Sequence, residues 1–139
     1  MRFTLVLLAI FLSSSAFAAP VSTPEAQMET FLKTLQAKKY DGALESFFAG
    51  SLALQQKPTE LKAMGGQVKA AFEFLGPPVS WEFVETRKMG QDLITFKLLS
   101  KQKDDMPVFW NAMFYRRLGK WEPLAVFLFD DPMKAGFFE

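Results

Sequence analysis

The side chains of this chain that could carry chemistry are its carboxylates, lysines, arginines and two tyrosines, because it contains no histidine and no cysteine. Without those residue types, Ser–His and Cys–His nucleophile pairs cannot form. Zinc and copper sites built on imidazole or thiolate are excluded as well. A catalytic site here would have to use carboxylates, lysine, tyrosine or backbone dipoles.

Glu85 and Arg116 are the charged residues with the clearest chemical potential. We expect Glu85 beside Arg87 and Asp92 at the rim of an apolar strand face, where a carboxyl group with a raised pKa can act as a base. A solvated charge cluster at a hairpin end is the alternative. Arg116 could hold the head group of an anionic ligand or stack on Trp121. An exposed arginine near a turn is the alternative there.

Other polar residues give weaker signals. The pairs Asp104-Asp105 and Asp130-Asp131 lack the ligand spacing of a calcium loop, so we expect them in turns and expect no metal site. Asn111 stands between apolar neighbours and is either a hydrogen-bonding residue of a pocket or interface, or an edge residue. We predict no catalytic residue and no cofactor.

The first eighteen residues have the form of a secretory signal peptide. Arg2 precedes a short apolar run, and Ala16-Phe17-Ala18 is a small-x-small cleavage sequence. The apolar run is well short of the ~20 residues that a membrane span needs. An uncleaved membrane anchor is the alternative. We therefore expect cleavage after Ala18, export to the periplasm or the medium, and a single domain over residues 19–139.

Charge is balanced in the expected mature chain. The whole chain has 16 Lys+Arg and 15 Asp+Glu, and removal of Arg2 leaves 15 of each. A neutral domain has neither the basic surface that binds nucleic acid nor a cationic face for anionic lipid. We expect no nucleic-acid partner and no stable membrane insertion after signal cleavage.

Hydrophobic periodicity predicts an α+β fold, with three N-terminal helices on a curved antiparallel sheet of about four strands. The first helix begins at Thr23-Pro24, the second begins near Asp41 and ends at Gly50, and the third begins near Pro58. Residues 51–57 are expected to form a connector. The strands are expected over residues 79–87, 92–101, 108–118 and 121–129.

Opposite charges suggest a strand register, with Arg87 facing Asp92, Glu82 facing Lys97, and Arg117 facing Glu122 across a Gly119-Lys120 turn. Alternation then divides the aromatic side chains, including many of the 16 phenylalanines and three tryptophans, between two sheet faces. One face is expected to meet the helices. The other face of the second hairpin is also apolar, which favours a covering subunit.

Three short segments resemble the nuclear-transport-factor-two-like (NTF2-like) superfamily, the cone-shaped α+β fold that includes ketosteroid isomerase. They are Tyr40-Asp41-Gly42-Ala43-Leu44, Phe72 to Gly76 followed by Trp81, and Gly119-Lys120-Trp121, within residues 24–131. The resemblance implies a conical pocket between helices and sheet, and a dimer built on the outer sheet face. It carries no catalytic residue over to this chain. A cystatin-like sheet wrapped on one helix is the alternative fold.

Two sets of residues follow as site candidates. The expected ligand pocket accepts an apolar or weakly acidic small molecule and is lined by Phe31, Phe72, Trp81, Phe83, Phe96, Trp110, Phe114 and Phe127, with Arg116 near its mouth. The expected homodimer face consists of Asn111, Met113, Tyr115, Leu124, Val126 and Leu128. These sets predict an exported, non-catalytic ligand-binding or protein-assembly domain. The alternative is a cofactor-free isomerase or lyase with a carboxylate in a hydrophobic pocket.

The predicted processing is tested by the intact mass of the protein recovered from an exporting cell. We expect the mass of a chain that begins Ala19-Pro20, because the small residues before the bond suit signal peptidase. A membrane-bound product that retains residues 1–18 would contradict this expectation.

Overall fold

The structure is a computed structural model that describes residues 22–138. The predicted signal peptide lies outside the described residues. Four α-helices come first: α1 (Pro24–Gln36), α2 (Ala43–Phe47), α3 (Leu52–Gln56) and α4 (Pro58–Leu75). Four strands follow, β1 (Ser80–Met89), β2 (Leu93–Lys101), β3 (Pro107–Arg117) and β4 (Lys120–Phe129), with a 3-10 turn (Lys103–Asp105) between β2 and β3.

The helices begin largely where the capping signals predict. Thr23 caps α1, since its hydroxyl oxygen accepts from the Ala26 N–H at 3.2 Å, and Pro24 takes the first helical position. The prediction of a connector over residues 51–57 is wrong, because this segment contains the five-residue helix α3. Ser51 caps this helix by accepting from the Leu54 N–H at 3.1 Å, a short cap that a search for apolar periodicity does not detect.

The four strands form one antiparallel sheet in the order β1-β2-β3-β4. The helices cover one side, here called the inner face, and the core lies between them. Apolar stripes on α1 and α4 supply buried residues, including Met28, Phe31 and Phe72. The α+β class and its four-stranded antiparallel sheet are therefore confirmed.

The first hairpin pairs in a different register from the charge-based prediction. Arg87 faces Thr95 and Glu82 faces Leu99, because a three-residue loop follows Met89. Before the bulge this register differs from the predicted one by two residues, an even shift that keeps each side chain on its expected face. Trp81, Phe83, Ile94, Phe96 and Leu98 accordingly share the inner face.

A β-bulge at Val84 changes the second half of β1. The extra residue reverses the alternation, so Glu85 faces Lys97 on the outer face. The expected position of Glu85 on the aromatic face is therefore wrong.

The second hairpin turns at Leu118-Gly119, one residue earlier than expected. Both residues have positive φ, 52° and 75°, which matches the twist of a tight hairpin. Arg117 faces Lys120, and its predicted partner Glu122 is reached diagonally, with Nε 2.8 Å from Oε1.

A second bulge, at Leu124, reverses the alternation along β4. Val126 faces Ala112, and Leu128 faces Trp110, on the inner face, while Phe127 turns outward. Val126 is 6% exposed and Phe127 is 54% exposed. The sequence-based placement of these three residues is wrong, because a single extra residue moves every later side chain to the opposite face.

Because the bulge places Val126 on the inner face and Phe127 on the outer face, substitutions at these two adjacent residues should have different effects on stability. Val126→Lys should lower the free energy of unfolding by about 3–5 kcal/mol, because it leaves an unpaired charge in the core. Phe127→Lys should change it by less than about 0.5 kcal/mol, as expected at a solvated position. Urea unfolding at low protein concentration measures both. Equal losses would contradict the assignment of faces.

Candidate functional site

The deep part of the predicted pocket is filled by aromatic rings. Trp110 stacks on Phe72 with centroids 5.7 Å apart and meets Phe31 edge-on at 6.1 Å. Phe96 and Phe114 contact each other at 5.7 Å, and all five residues are at most 2% exposed. Trp81 and Phe83 pack against this cluster from β1. These side chains form the core, and ligand contact with them stays a prediction.

An open cleft remains at the end of the inner face, where α1 begins. This end cleft has a volume of about 660 Å3. Its floor is formed by β1–β4 side chains, and the first turn of α1 forms one wall. The lining residues are Thr23, Pro24, Glu25, Lys88, Gly90, Gln91, Ile94, Arg116 and Trp121. The cleft lies at the mouth of the helix–sheet layer, where Arg116 is expected from the sequence.

Arg116 is held in place at the end cleft by two interactions. Its Nε donates to Asp92 Oδ1 at 2.9 Å, and its guanidinium lies 5.6 Å from the centroid of the Trp121 ring. The backbone N–H of Arg116 also donates to the Asp92 carbonyl at 2.8 Å. The predicted stacking on Trp121 is therefore present. An oriented guanidinium loses less entropy when it binds an anion.

The position of α1 beside this cleft is fixed by a contact across the layers. Gln27 Nε2 donates to the Trp121 carbonyl at 2.8 Å, which ties the first turns of α1 to β4. The cleft combines the cations of Lys88 and Arg116 with the carboxylate of Glu25 and the apolar side chain of Ile94. Such a mixture suits a small molecule that has both an apolar body and a charged end.

Of the predicted pocket residues only Arg116 lines this cleft, and Lys88 is the cleft cation that sequence reasoning missed. Uninterrupted alternation places it on the solvent side of β1, and the Val84 bulge brings it opposite Ile94 on the inner face. No local signal in the sequence marks a bulge at Val84.

A second candidate surface lies on the outer face of the sheet. A mostly apolar cleft of about 290 Å3 is lined there by Thr95, Phe96, Lys97, Asn111, Ala112, Met113, Ala125 and Phe127. Tyr115 beside it is 40% exposed. Of the predicted dimer face, Asn111, Met113 and Tyr115 lie on this face, Leu124 is exposed at the bulge, and Val126 and Leu128 belong to the inner face.

The C-terminal segment, residues 131–138, covers the part of the outer face next to this cleft. Asn111 Nδ2 donates to the Ala135 carbonyl at 2.8 Å, and Lys97 Nζ donates to the Gly136 carbonyl. Phe137 packs against Phe109, with ring centroids 5.1 Å apart. The segment is therefore docked on the sheet and ends at the exposed Phe138.

The carboxylates of interest are engaged in ion pairs. Glu85 Oε1 lies 3.0 Å from Arg87 and Oε2 lies 3.8 Å from Lys97. Glu122 is more buried and accepts from Arg117 Nε and from the Leu52 N–H at 3.1 Å. The hydrogen bond from Arg117 lowers the pKa of Glu122 most, the Leu52 N–H lowers it further, and desolvation opposes them. A carboxyl group with a lowered pKa stays ionised at neutral pH and is a weak base.

The two aspartate pairs have local roles. Asp104 and Asp105 adopt positive φ, 62° and 56°, in the 3-10 turn. Asp131 Oδ1 accepts from the Met133 N–H at 2.9 Å and so orders the start of the C-terminal segment. Within residues 22–138, no three acidic side chains come together as a metal site would require.

Comparison with known proteins supports the fold and leaves the function open. No protein-family model and no curated protein matches the chain. A Campylobacter jejuni protein described as an NTF2-like transpeptidase superposes with a TM-score of 0.56, at 16% identity over 75% of this chain and 99% of that one. A SEC-C motif-containing protein from Rhodopseudomonas palustris gives a TM-score of 0.49, at 13% identity over 76% and 77%. The chain has an NTF2-like fold, as the resemblance predicts.

Among the described residues, no helix is both long and apolar enough to cross a membrane.

Proposed function

We propose that the mature protein is an exported, non-catalytic domain that binds an apolar or weakly acidic small molecule in the end cleft. The observation that carries this proposal is the arrangement of Arg116, which is anchored by Asp92 and lies against Trp121 at the wall of the 660 Å3 cleft. The acid group of the ligand meets Arg116 and Lys88, and its apolar body lies against Trp121 and Ile94.

The charge environment of the cleft favours binding over catalysis. The Asp92 carboxylate is paired with Arg116 and is half-exposed, so it is not desolvated as a general base in an apolar pocket would be. Glu25 lies in the exposed first turn of α1. Neither carboxylate has the apolar enclosure on which the isomerase or lyase alternative depends.

The ligand proposal is tested by titrating the protein with laurate, 3-phenylpropionate and a sterol while recording tryptophan fluorescence. Trp121 lines the cleft and should report binding, and Trp121→Phe should abolish the response. Arg116→Gln should weaken acid binding about tenfold, the equivalent of ~1.4 kcal/mol from one charge-assisted contact.

Arg87→Gln is the matched control for Arg116→Gln. Arg87 is also a β-strand arginine paired with a carboxylate, but it lies away from the cleft. Its replacement should leave the affinity unchanged. Absence of a saturable response to all three probes would contradict the proposal, as would equal losses in the two arginine variants.

We also propose that the protein forms a homodimer through the outer face of its sheet. The supporting observation is the apolar cleft around Met113, Ala125 and Phe127, flanked by the partly exposed Tyr115 and Leu124. A contiguous apolar patch of this kind on a small domain commonly marks an interface. The balanced charge of the mature chain adds little repulsion between identical copies.

The homodimer proposal is tested by sedimentation velocity over a range of protein concentrations. The unmutated chain should dimerise, and Phe127→Lys should shift it to monomer, because burial of an unpaired ammonium group opposes association. Leu118→Lys is the control: Leu118 is 89% exposed, in the β3–β4 turn. A monomeric unmutated chain at millimolar concentration would overturn the proposal.

A further inference from the structure

We propose that the C-terminal segment is an autoinhibitory strap that occupies part of the proposed dimer face and is displaced by a second copy of this chain. The inference rests on the proposed homodimer and adds its regulation. Residues Lys97 and Asn111 carry the argument, since they line the open apolar cleft and also bind the strap. The strap and the incoming copy therefore compete for the same two side chains.

The strap accepts a hydrogen bond from the NH2 group of the Asn111 side chain but donates none to its carbonyl oxygen. Asn111 Nδ2 donates to the Ala135 carbonyl, whereas Asn111 Oδ1 is buried and has no hydrogen-bond partner among the described residues. A buried acceptor without a donor costs free energy compared with its hydrated state. The docked strap therefore leaves this acceptor unsatisfied, whereas a partner that presents an N–H at this point would satisfy it.

Three backbone N–H groups of the strap, at the residues that face Asn111, are already engaged within the strap. The N–H of Ala135 donates to the Asp131 carbonyl at 3.2 Å, the N–H of Gly136 to Met133 at 3.1 Å, and the N–H of Phe137 to Pro132 at 3.1 Å. These bonds form turns within the strap, so none of these three N–H groups is free to donate to Asn111 Oδ1.

A second copy of the chain can supply the hydrogen-bond donor that Asn111 Oδ1 lacks. A carboxamide carries both donors and an acceptor, so two Asn111 side chains related by a two-fold axis can satisfy each other. In a two-fold interface the same patch is used by both subunits. The amide chemistry at this point therefore fits self-association better than it fits the strap.

The size of the sheet gives a second reason why the strap must move. Strands about 4.8 Å apart that rise about 3.3 Å per residue give this four-stranded face a projected area on the order of 600 Å2. A stable interface buries about 800 Å2 of accessible surface per partner. Because even the whole face only approaches that size, an interface that excludes the part under the strap would be smaller than a stable dimer needs.

The test compares two glutamate substitutions in the strap. Ala135 is a strap residue that is 2% exposed, so Ala135→Glu should expel the strap from the sheet. Met133→Glu adds the same charge to the strap at a position that is 67% exposed. We expect Ala135→Glu to lower the dimer dissociation constant at least tenfold and Met133→Glu to leave it unchanged. Phe137→Ala, which removes the ring packed on Phe109, should act in the same direction as Ala135→Glu.

Hydrogen exchange of the unmutated chain distinguishes failure of the strap from failure of the dimer. The amides of residues 135–137 should exchange faster at concentrations where the dimer forms. If a dimer forms while these amides stay protected, the strap proposal is overturned and the homodimer proposal stands. The same conclusion follows if Ala135→Glu and Phe137→Ala do not lower the dissociation constant of the dimer. If the unmutated chain stays monomeric at millimolar concentration, the homodimer proposal is overturned and the strap proposal with it.

Discussion

The burial of Trp110 is the constraint on which the rest of the structure depends. Its ring lies between Phe72 of α4 and Phe31 of α1, and its indole nitrogen donates to the hydroxyl of Ser100 at 2.8 Å. A buried indole needs such an acceptor, and Ser100, fully buried on β2, provides it. One side chain thus links two helices and two strands, and the rings around it fill the space between α1, α4 and the sheet.

Both candidate functional surfaces lie outside this filled core. At the end of the inner face, the guanidinium of Arg116, the ammonium group of Lys88 and the ring of Trp121 line one cleft. On the outer face, a short C-terminal segment covers one part of an apolar surface and leaves the adjoining part open. The two surfaces lie on opposite sides of the sheet, so the proposed ligand binding and the proposed self-association are compatible.

The two β-bulges determine which side chains reach these surfaces. The bulge at Val84 moves Glu85 to the outer face, where it pairs with Lys97 and Arg87. The bulge at Leu124 moves Phe127 from the expected core to the outer face and sends Val126 inward. A bulge adds one residue to one strand and so changes the face of everything beyond it. The apolar outer cleft around Phe127 exists because of the second bulge.

The sequence by itself determined the class of the fold, the start of α1 at its Thr23 cap, the apolar stripe of α4, and the exclusion of histidine and thiolate chemistry. These features depend on residue type or on contacts a few positions apart, which a linear pattern records. Only the tertiary structure decided the strand register, the exchange of Val126 and Phe127, and the meeting of Lys88 with Arg116 at one cleft. Each of these depends on a single inserted residue or on packing between distant segments. Alternation along a strand shows that two faces exist, and the pairing with the neighbouring strand decides which face each residue occupies.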